Sequence, residues 1–525
     1  MGVRLRVCGS ARPPGEKLIG FFRRRYTSTS HVNVKKAFSK KNLWDNTPAG
    51  LKAIIGAGLS VLPLSYLLGG QFRRWHQIAK DADRWDAERI REYQLAQLRR
   101  VLTLAYEKTE YYRQTFRSVG FQPGDFKRLE DLERLPTIDK VTVRENWERM
   151  LTRPVSDPSI DLVATGGTSG EPMKFYMSSS RHGPEFGHLT ACWSRVGYQP
   201  GDVFAVLRGR VITKPTDGMY YQYDPLFRYH YYSTFHMSPA DLRAYLGHMN
   251  RIQPKFLHAY PSSLFALLEF ATSEGLALPK SLRALLFESE ALFPHQRALF
   301  QNKLGVRTFS CYGHSEKLVM AAQCESSEEY HVAPTYGYCE VLDEKAAPVS
   351  SGENGELTGT GFINEVMPFI RYRTGDGVTR GGDRCDKCGR HHMLLKEIQG
   401  RWGQEFLVSR DGRTLISMTS LNLHDDTFDG VTRFQFQQSE PGKVVLKLVT
   451  TKTGAAKEAG RFYRHFEPKL AHAIDLQVQF VDEIPLTRMG KQPMIDQRCP
   501  IARELPATSA NVRQGAGALV SEPLN

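Results

Sequence analysis

Apolar residues recur at helical spacing from Trp85 to Phe116, where Ile90, Tyr93, Leu95, Leu98, Val101, Leu102 and Ala105 stand among many charges. The pattern predicts an amphipathic helix there, closed by Asp131-Leu-Glu-Arg-Leu-Pro136, with a further helix over Val141 to Met150. The period then changes. Helical stretches at Ser238–Ile252, Ser262–Glu274 and Pro294–Leu304 alternate with short apolar runs at Phe256–Tyr260, Ala284–Phe287 and Val306–Tyr312. Such alternation predicts βαβ units and a mainly parallel sheet flanked by helices. Turn signals at Gly352, Gly355, Gly375 and Gly381 mark a β-rich stretch from about 335 to 400. Beyond Gly400-Arg401 the alternation restarts at Glu405–Val408, Phe434–Gln437 and Val444–Val449, the pattern of a small α+β module.

One segment interrupts this regularity. The strand-like Asp161-Leu-Val-Ala runs into Thr165, Gly166, Gly167, Thr168, Ser169 and Gly170, and Pro172 closes the stretch. Small residues let backbone N–H groups approach a polyphosphate, and three hydroxyls add donors. The spacing is not that of a Walker A loop. Taken alone, the run fits either a phosphate cradle or a surface loop.

Composition narrows the class. The chain has 525 residues, 41% hydrophobic and 24% charged, as an ordinary globular protein of more than one domain would. Its net charge of +14 sits mostly in the first 50 residues, which carry +9 from eleven Lys/Arg against Glu16 and Asp45. A nucleic-acid partner is therefore not expected, because its basic footprint belongs on the folded domain. Arg23 to Ser30 reads either as a transit-peptide-like stretch or as a basic arm without a structural role. Ala53 to Phe72 carries no charge, but Gly56, Gly58, Pro63, Gly69 and Gly70 interrupt it. A buried or interfacial hairpin, with peripheral contact to anionic lipid, is expected over a membrane span. Eight scattered cysteines point to a reducing, cytoplasmic setting rather than a disulfide framework. Among them Cys385 and Cys388 form a Cys-x2-Cys knuckle, and Cys324 with His331 offers a second pair. Together these make a four-ligand zinc site; the alternative is reduced thiols in a turn.

Five pieces stand in order: Thr165 to Pro172, Tyr312-Gly313-His-Ser-Glu316, Tyr372-Arg-Thr-Gly-Asp376, Gly400-Arg401 and Thr487-Arg-Met-Gly-Lys491. This succession resembles the adenylate-forming superfamily of acyl-CoA ligases, luciferases and peptide-synthetase adenylation domains. The branch it resembles most contains phenylacetate–CoA ligase, a coenzyme-adenylylating synthetase and the CapK-type capsular polysaccharide proteins. The residues that point there include Ala259-Tyr260-Pro261-Ser-Ser263, Glu288-Ser289-Glu290-Ala291-Leu292 and Met367 to Arg373.

The resemblance implies a large α/β domain over 76–400 and a small mobile α+β domain over 401–500. A basic arm and apolar segment (1–75) would precede them and a tail (501–525) follow. It implies ATP and Mg²⁺ as cofactors, a carboxylic acid as substrate and CoA or a carrier thiol as acceptor. Thr165 to Gly170 would then surround the β- and γ-phosphates, and Glu316 would hold Mg²⁺. Tyr312, Gly313, Ser289, Glu290 and Ala291 would border the adenine, Asp376 the ribose hydroxyls, and Arg401 the nucleotide. Lys491 would bridge carboxylate and α-phosphate. His236, Tyr260 and Pro261 would line the acid site, although a packing role for His236 remains open. Two alternatives stand beside acid activation: AMP transfer to a non-carboxylate acceptor, and a non-catalytic role in polysaccharide assembly. This chain also departs from the pattern. Many relatives have Ser where Gly166 stands, Gly403 replaces an acidic hinge, and Leu407 to Gly412 lacks the glycine pair that accompanies pantetheine passage.

Overall fold

The computed structural model describes residues 64–164, 173–210, 212, 215, 216, 218–225, 227–234, 236–290, 292, 294–401, 406–412, 415–417, 426–428, 431–450, 459–470, 473–485 and 493–499. After a helical turn at Leu64–Leu67, α1 (Gly69–Ala82) covers the end of the uncharged run and buries Phe72 and Ala82. No helix among the described residues is long and apolar enough to cross a membrane. The predicted helix from Trp85 is two. α2 (Ala87–Lys108) starts at Asp86, whose side chain accepts from the Arg89 amide at 2.8 Å. It buries Ile90, Leu98, Val101, Leu102 and Ala105, as the spacing predicts. α3 (Glu110–Ser118) follows after Thr109 alone. The Thr109 hydroxyl donates to the Ala105 carbonyl at 2.8 Å and accepts from the Tyr112 amide at 3.2 Å, so one side chain ends one helix and caps the next. α4 (Lys140–Asn146) begins at a similar cap, Asp139.

An antiparallel hairpin, β1 (Ile160–Ala164) and β2 (Lys174–Ser178), frames the glycine-rich run, and α5 (His182–Ser194) follows. The large sheet then begins with β3 (Phe204–Arg208), β4 (Tyr221–Asp224) and β5 (Tyr229–Ser233). Next come α6 (Pro239–Ile252), β6 (Phe256–Ala259), α7 (Pro261–Ser273), β7 (Ala284–Glu288), α8 (Pro294–Leu304) and β8 (Arg307–Gly313). Strands β5, β3, β6, β7 and β8 lie side by side, all parallel, with β4 antiparallel at the edge. Their apolar runs bury both faces. Leu207, Ala259, Leu285 and Phe287 pack against α6–α8, while Phe204, Val206, Phe256 and Leu286 pack against Trp193 of α5. α6 carries a capping box, with Ser238 and Asp241 bonding each other's amides, and stops where Gln253 turns left-handed.

The same sheet continues through β9 (Met320–Gln323), β10 (Tyr330–Val332), β11 (Gly337–Leu342), β12 (Asn354–Gly361), β13 (Tyr372–Arg380) and β14 (Leu394–Arg401). Beyond β8 the order is β9-β10-β14-β13-β12-β11, every neighbour antiparallel, in one twelve-stranded sheet. This is the β-rich stretch expected near 335–400.

A separate core follows. β15 (Phe406–Val408) pairs with β16 (Leu415–Ser417). β17 (Val431–Glu440), β18 (Lys443–Thr450), α9 (Ala459–Leu470), β19 (Asp475–Phe480) and β20 (Ile495–Gln497) form a sheet ordered β19-β18-β17-β20. Phe434, Phe436, Leu446 and Leu448 bury against Phe462 and Phe466 of α9, the α+β module expected there. β17 also packs on α7 of the large sheet.

Candidate active site

In open α/β sheets, ligands bind beyond the carboxyl ends of the parallel strands. Several expected residues lie at that edge. Tyr312 and Gly313 end β8, and the Tyr312 hydroxyl donates to Asp376 Oδ2 of β13 at 2.5 Å. Burial first, then the Asp376 charge, drive the Tyr312 phenol well above its ordinary value, so it stays protonated as a donor. Thr374 positions the Asp376 amide (3.1 Å), and Glu356 accepts from the amide of Gly375, whose φ of 78° needs glycine. Asp376 faces Arg401 in the β13–β14 register.

Glu316 is buried just beyond β8. Its Oε1 accepts from the Tyr372 hydroxyl at 3.3 Å, and Oε2 lies 3.5 Å from His314 Nδ1. That last contact is an ion pair only when the imidazole is protonated. Burial alone would raise the Glu316 carboxyl. His314 and the Lys140 ammonium outweigh it and hold the group ionised below the ordinary range.

Glu288 pairs with Cys311 in register, so Ser289 and Tyr312 follow them side by side on neighbouring chain segments. Ser289 has a left-handed φ of 71° and accepts from Arg208 Nη2 at 3.0 Å. Glu290 accepts from the Ser262 amide at 3.2 Å, within the first turn of α7, where donors and the helix dipole favour an anion. Pro261 occupies the first position of that helix, and the Tyr260 ring stacks 5.1 Å from the Arg208 guanidinium. His236 stacks on Tyr220 with centroids 3.4 Å apart and bonds Ser233 Oγ at 3.0 Å.

Two residues that the sequence reading passed over, Arg208 and His258, join this edge with Glu288, which it quoted without a role. Arg208 Nη1 lies 2.8 Å from both His258 Nε2 and Glu288 Oε2. Burial alone would raise Glu288, but charge from His258 and Arg208 draws it down to about 2. Burial and the same guanidinium push His258 itself below its ordinary value, so near neutral pH Arg208 supplies the positive charge. The signal in the sequence is a charge closing an apolar strand, as in Phe204-Ala-Val-Leu-Arg208.

Thr165, Gly166, Gly167, Thr168, Ser169, Gly170, Ala291, Gly403 and Lys491 lie outside the described residues, as do the arm and the 501–525 tail; Arg401 is described in its backbone only.

A second cluster lies elsewhere in the antiparallel part of the sheet. Cys324 follows β9, His331 lies on β10, and Cys385 and Cys388 sit in the loop from β13 to β14. Their donor atoms all lie within 4.8 Å of one another. Cys324 Sγ is 3.9 Å from Cys385 Sγ, and Cys388 Sγ is 3.6 Å from His331 Nε2. Tetrahedral zinc with ordinary Zn–S and Zn–N bonds separates two sulfurs by about 3.8 Å and sulfur from nitrogen by about 3.6 Å. The donor set and its spacing fit a metal.

The fold is that of the adenylate-forming CoA ligases. The crystal structure of 2-hydroxyisobutyryl-CoA ligase in its postadenylation state matches at a TM-score of 0.62, covering 81% of this chain and 92% of that one at 20% identity. In sequence, the chain is similar to the phenylacetate–coenzyme A ligase of Escherichia coli, 26% identical over 321 residues, 59% of this chain and 72% of that relative. It is also similar to protein CapK of Staphylococcus aureus, 20% identical over 390 residues, 74% of this chain and 84% of that protein. Residues 407–498 match the CapK C-terminal domain family.

Proposed function

We propose that this chain is an adenylate-forming acid–thiol ligase. It joins a carboxylic acid to the α-phosphate of ATP, releases pyrophosphate and hands the acyl group to CoA or another thiol. The observation that carries this reading is the 2.5 Å bond from Tyr312 to Asp376, which joins two motifs at the edge where the fold family works. An ionised carboxylate accepts several hydrogen bonds, so an oriented Asp376 suits the ribose hydroxyls. Tyr312, Gly313 and the Ser289–Ala291 segment border the adenine, Thr165 to Gly170 surround the phosphates, and Arg401 reaches the nucleotide. Glu316, buried yet ionised, suits Mg²⁺, which supplies charge neutralisation on the phosphates when bound. Lys491 on the C-terminal module stabilises the charge that builds between carboxylate and α-phosphate, the term that matters most where little covalent help exists. His236, Tyr260 and Pro261 line the acid site, whose aromatic surroundings favour an aryl or bulky acid. The Cys324–His331–Cys385–Cys388 cluster holds structural zinc. The enzyme is cytoplasmic, with peripheral membrane contact through the segment ahead of α1.

The test is pyrophosphate release with Mg·ATP across aryl, fatty and amino acids, with and without CoA. Release that depends on one acid class is expected, with CoA consumed in the second step. Asp376→Asn should raise the KM for ATP about tenfold or more, the cost of roughly 1.4 kcal/mol of nucleotide binding. Silence across the panel from folded, ATP-binding protein defeats the reading. The alternative is AMP transfer to a hydroxyl or phosphate acceptor in place of a carboxylic acid. Acid-independent pyrophosphate release distinguishes it.

A further inference from the structure

We propose that the zinc-binding loop is the clasp that fastens the last turn of α1 onto the large domain. This inference rests on the zinc reading above. The first half of α1 needs no metal. There α1 crosses α5 so closely that a Cβ on Gly187 would lie 2.8 Å from the His76 nitrogen and 3.1 Å from the Phe72 carbonyl, and one on Gly183 would meet Gln71 at 2.9 Å. Ridge-to-backbone packing of that kind holds residues 71–76 by itself.

The other end of α1 is held differently. The chain leaves the helix at Asp83, an acidic group at a helix C-terminus, where the dipole disfavours it. Two guanidiniums offset that. Arg195, just after α5, approaches Asp83 at 2.8 and 3.3 Å, and Arg390 Nε lies 3.1 Å from it. Arg390 stands two residues after the ligand Cys388, and its Nη1 reaches both carboxylate oxygens of Glu325, beside the ligand Cys324, at 2.7 and 2.8 Å. His392 Nε2, further along the same loop, lies 3.1 Å from the Ala82 carbonyl at the helix end, which also accepts from the Trp85 amide at 3.3 Å. The loop from Cys385 to His392 has little apolar content to hold it; within it, Cys385 alone is a buried hydrophobic residue. A metal joining Cys385 and Cys388 to Cys324 and His331 on β9 and β10 therefore fixes the loop that grips Ala82 and Asp83.

The experiment is hydrogen exchange on the full chain, with zinc measured by atomic absorption. Three forms are compared: native protein, protein stripped with a chelator, and Arg390→Gln. About one zinc per chain is expected in the native form and in Arg390→Gln, and none after stripping. Amides 79–86 should exchange at least tenfold faster in both altered forms, while 71–76 and the β17–β18 core keep their protection. Zinc present with 79–86 unchanged on stripping overturns the clasp and leaves the metal site standing. A chain that takes up no zinc from zinc-supplemented medium overturns the metal reading and the clasp with it. Unchanged exchange in metal-loaded Arg390→Gln shows that the loop does not transmit the hold.

Discussion

The parallel strands β3, β5, β6, β7 and β8 share one sheet with the antiparallel strands β9 to β14, yet the two parts are assembled by opposite means. In the parallel part short strands pack between helices α5 to α8, and burial on both faces does the work. The antiparallel part relies on close backbone crossings and buried polar pairs. Gly337, Gly359 and Gly361 all crowd Leu318, and Arg371 is buried against Glu340 with its Nη1 also donating to the Leu135 carbonyl. The first part tolerates volume errors gradually; the second fails where one atom has nowhere to go.

Two glycines test that contrast with the largest expected effect. A Cβ on Gly337 would sit 1.9 Å from the Leu318 carbonyl oxygen and 2.8 Å from that of Thr360, both backbone atoms that cannot step aside. Gly337→Ala should cost more than about 4 kcal/mol and leave little soluble protein. Gly247, inside α6, has nothing within 4 Å of the same added atom. Gly247→Ala should stabilise by about 0.5–1 kcal/mol, because alanine is the better helix former. Thermal melts of both decide it; equal effects would erase the distinction.

That contrast also explains what could be read in advance. α6, α7, α8 and β6, β7, β8 fall within a residue or two of their expected bounds because each is announced by contiguous residues. The antiparallel strands were legible only as a β-rich stretch, since partners such as β10 and β14 lie more than sixty residues apart. The break at Thr109 escaped the helical pattern because a hydroxyl competing for the backbone leaves no trace in periodicity. In the candidate site, Tyr312, Asp376 and Glu316 were visible as motif members, and the four Cys/His donors as two spaced pairs. Arg208 and His258 were not, because each alone is an ordinary polar residue in or closing an apolar strand.

Acid should act at the seam between the two parts. His188 of α5 is fully buried, with Nδ1 at 2.9 Å from the Pro184 carbonyl and Nε2 at 2.9 Å from Thr335 Oγ1, just before β11. Burial lowers its pKa to about 4. The unfolded chain takes up this proton near pH 6.5 and the folded one only near pH 4. Its stability contribution is therefore complete above the unfolded value and is lost as pH falls through that window, about 3 kcal/mol in all. Urea titrations between pH 5 and 6 should show a slope shallower by about 1.4 kcal/mol per pH unit in His188→Asn than in the native chain. Identical slopes would mean that His188 is already protonated in the fold.

A smaller loss concerns a bond that ties the last parallel strand to the antiparallel part at the candidate site. Tyr312→Phe removes the hydroxyl that meets Asp376 and nothing else of the ring. A hydrogen bond to an ionised partner is worth about 1.5–3 kcal/mol, part of which water recovers at a partly buried carboxylate, so a loss of about 1–2 kcal/mol is expected. Asp376→Asn alone should cost a similar amount, and the double variant little more than either single one, since both remove the same interaction. A coupling near 1–2 kcal/mol in that cycle, read from urea midpoints without nucleotide, would show that the two parts are joined here before any ligand arrives. Additive losses would mean that the ends of β8 and β13 are positioned by their own strands, and that the bond reports the alignment of the sheet without helping to create it.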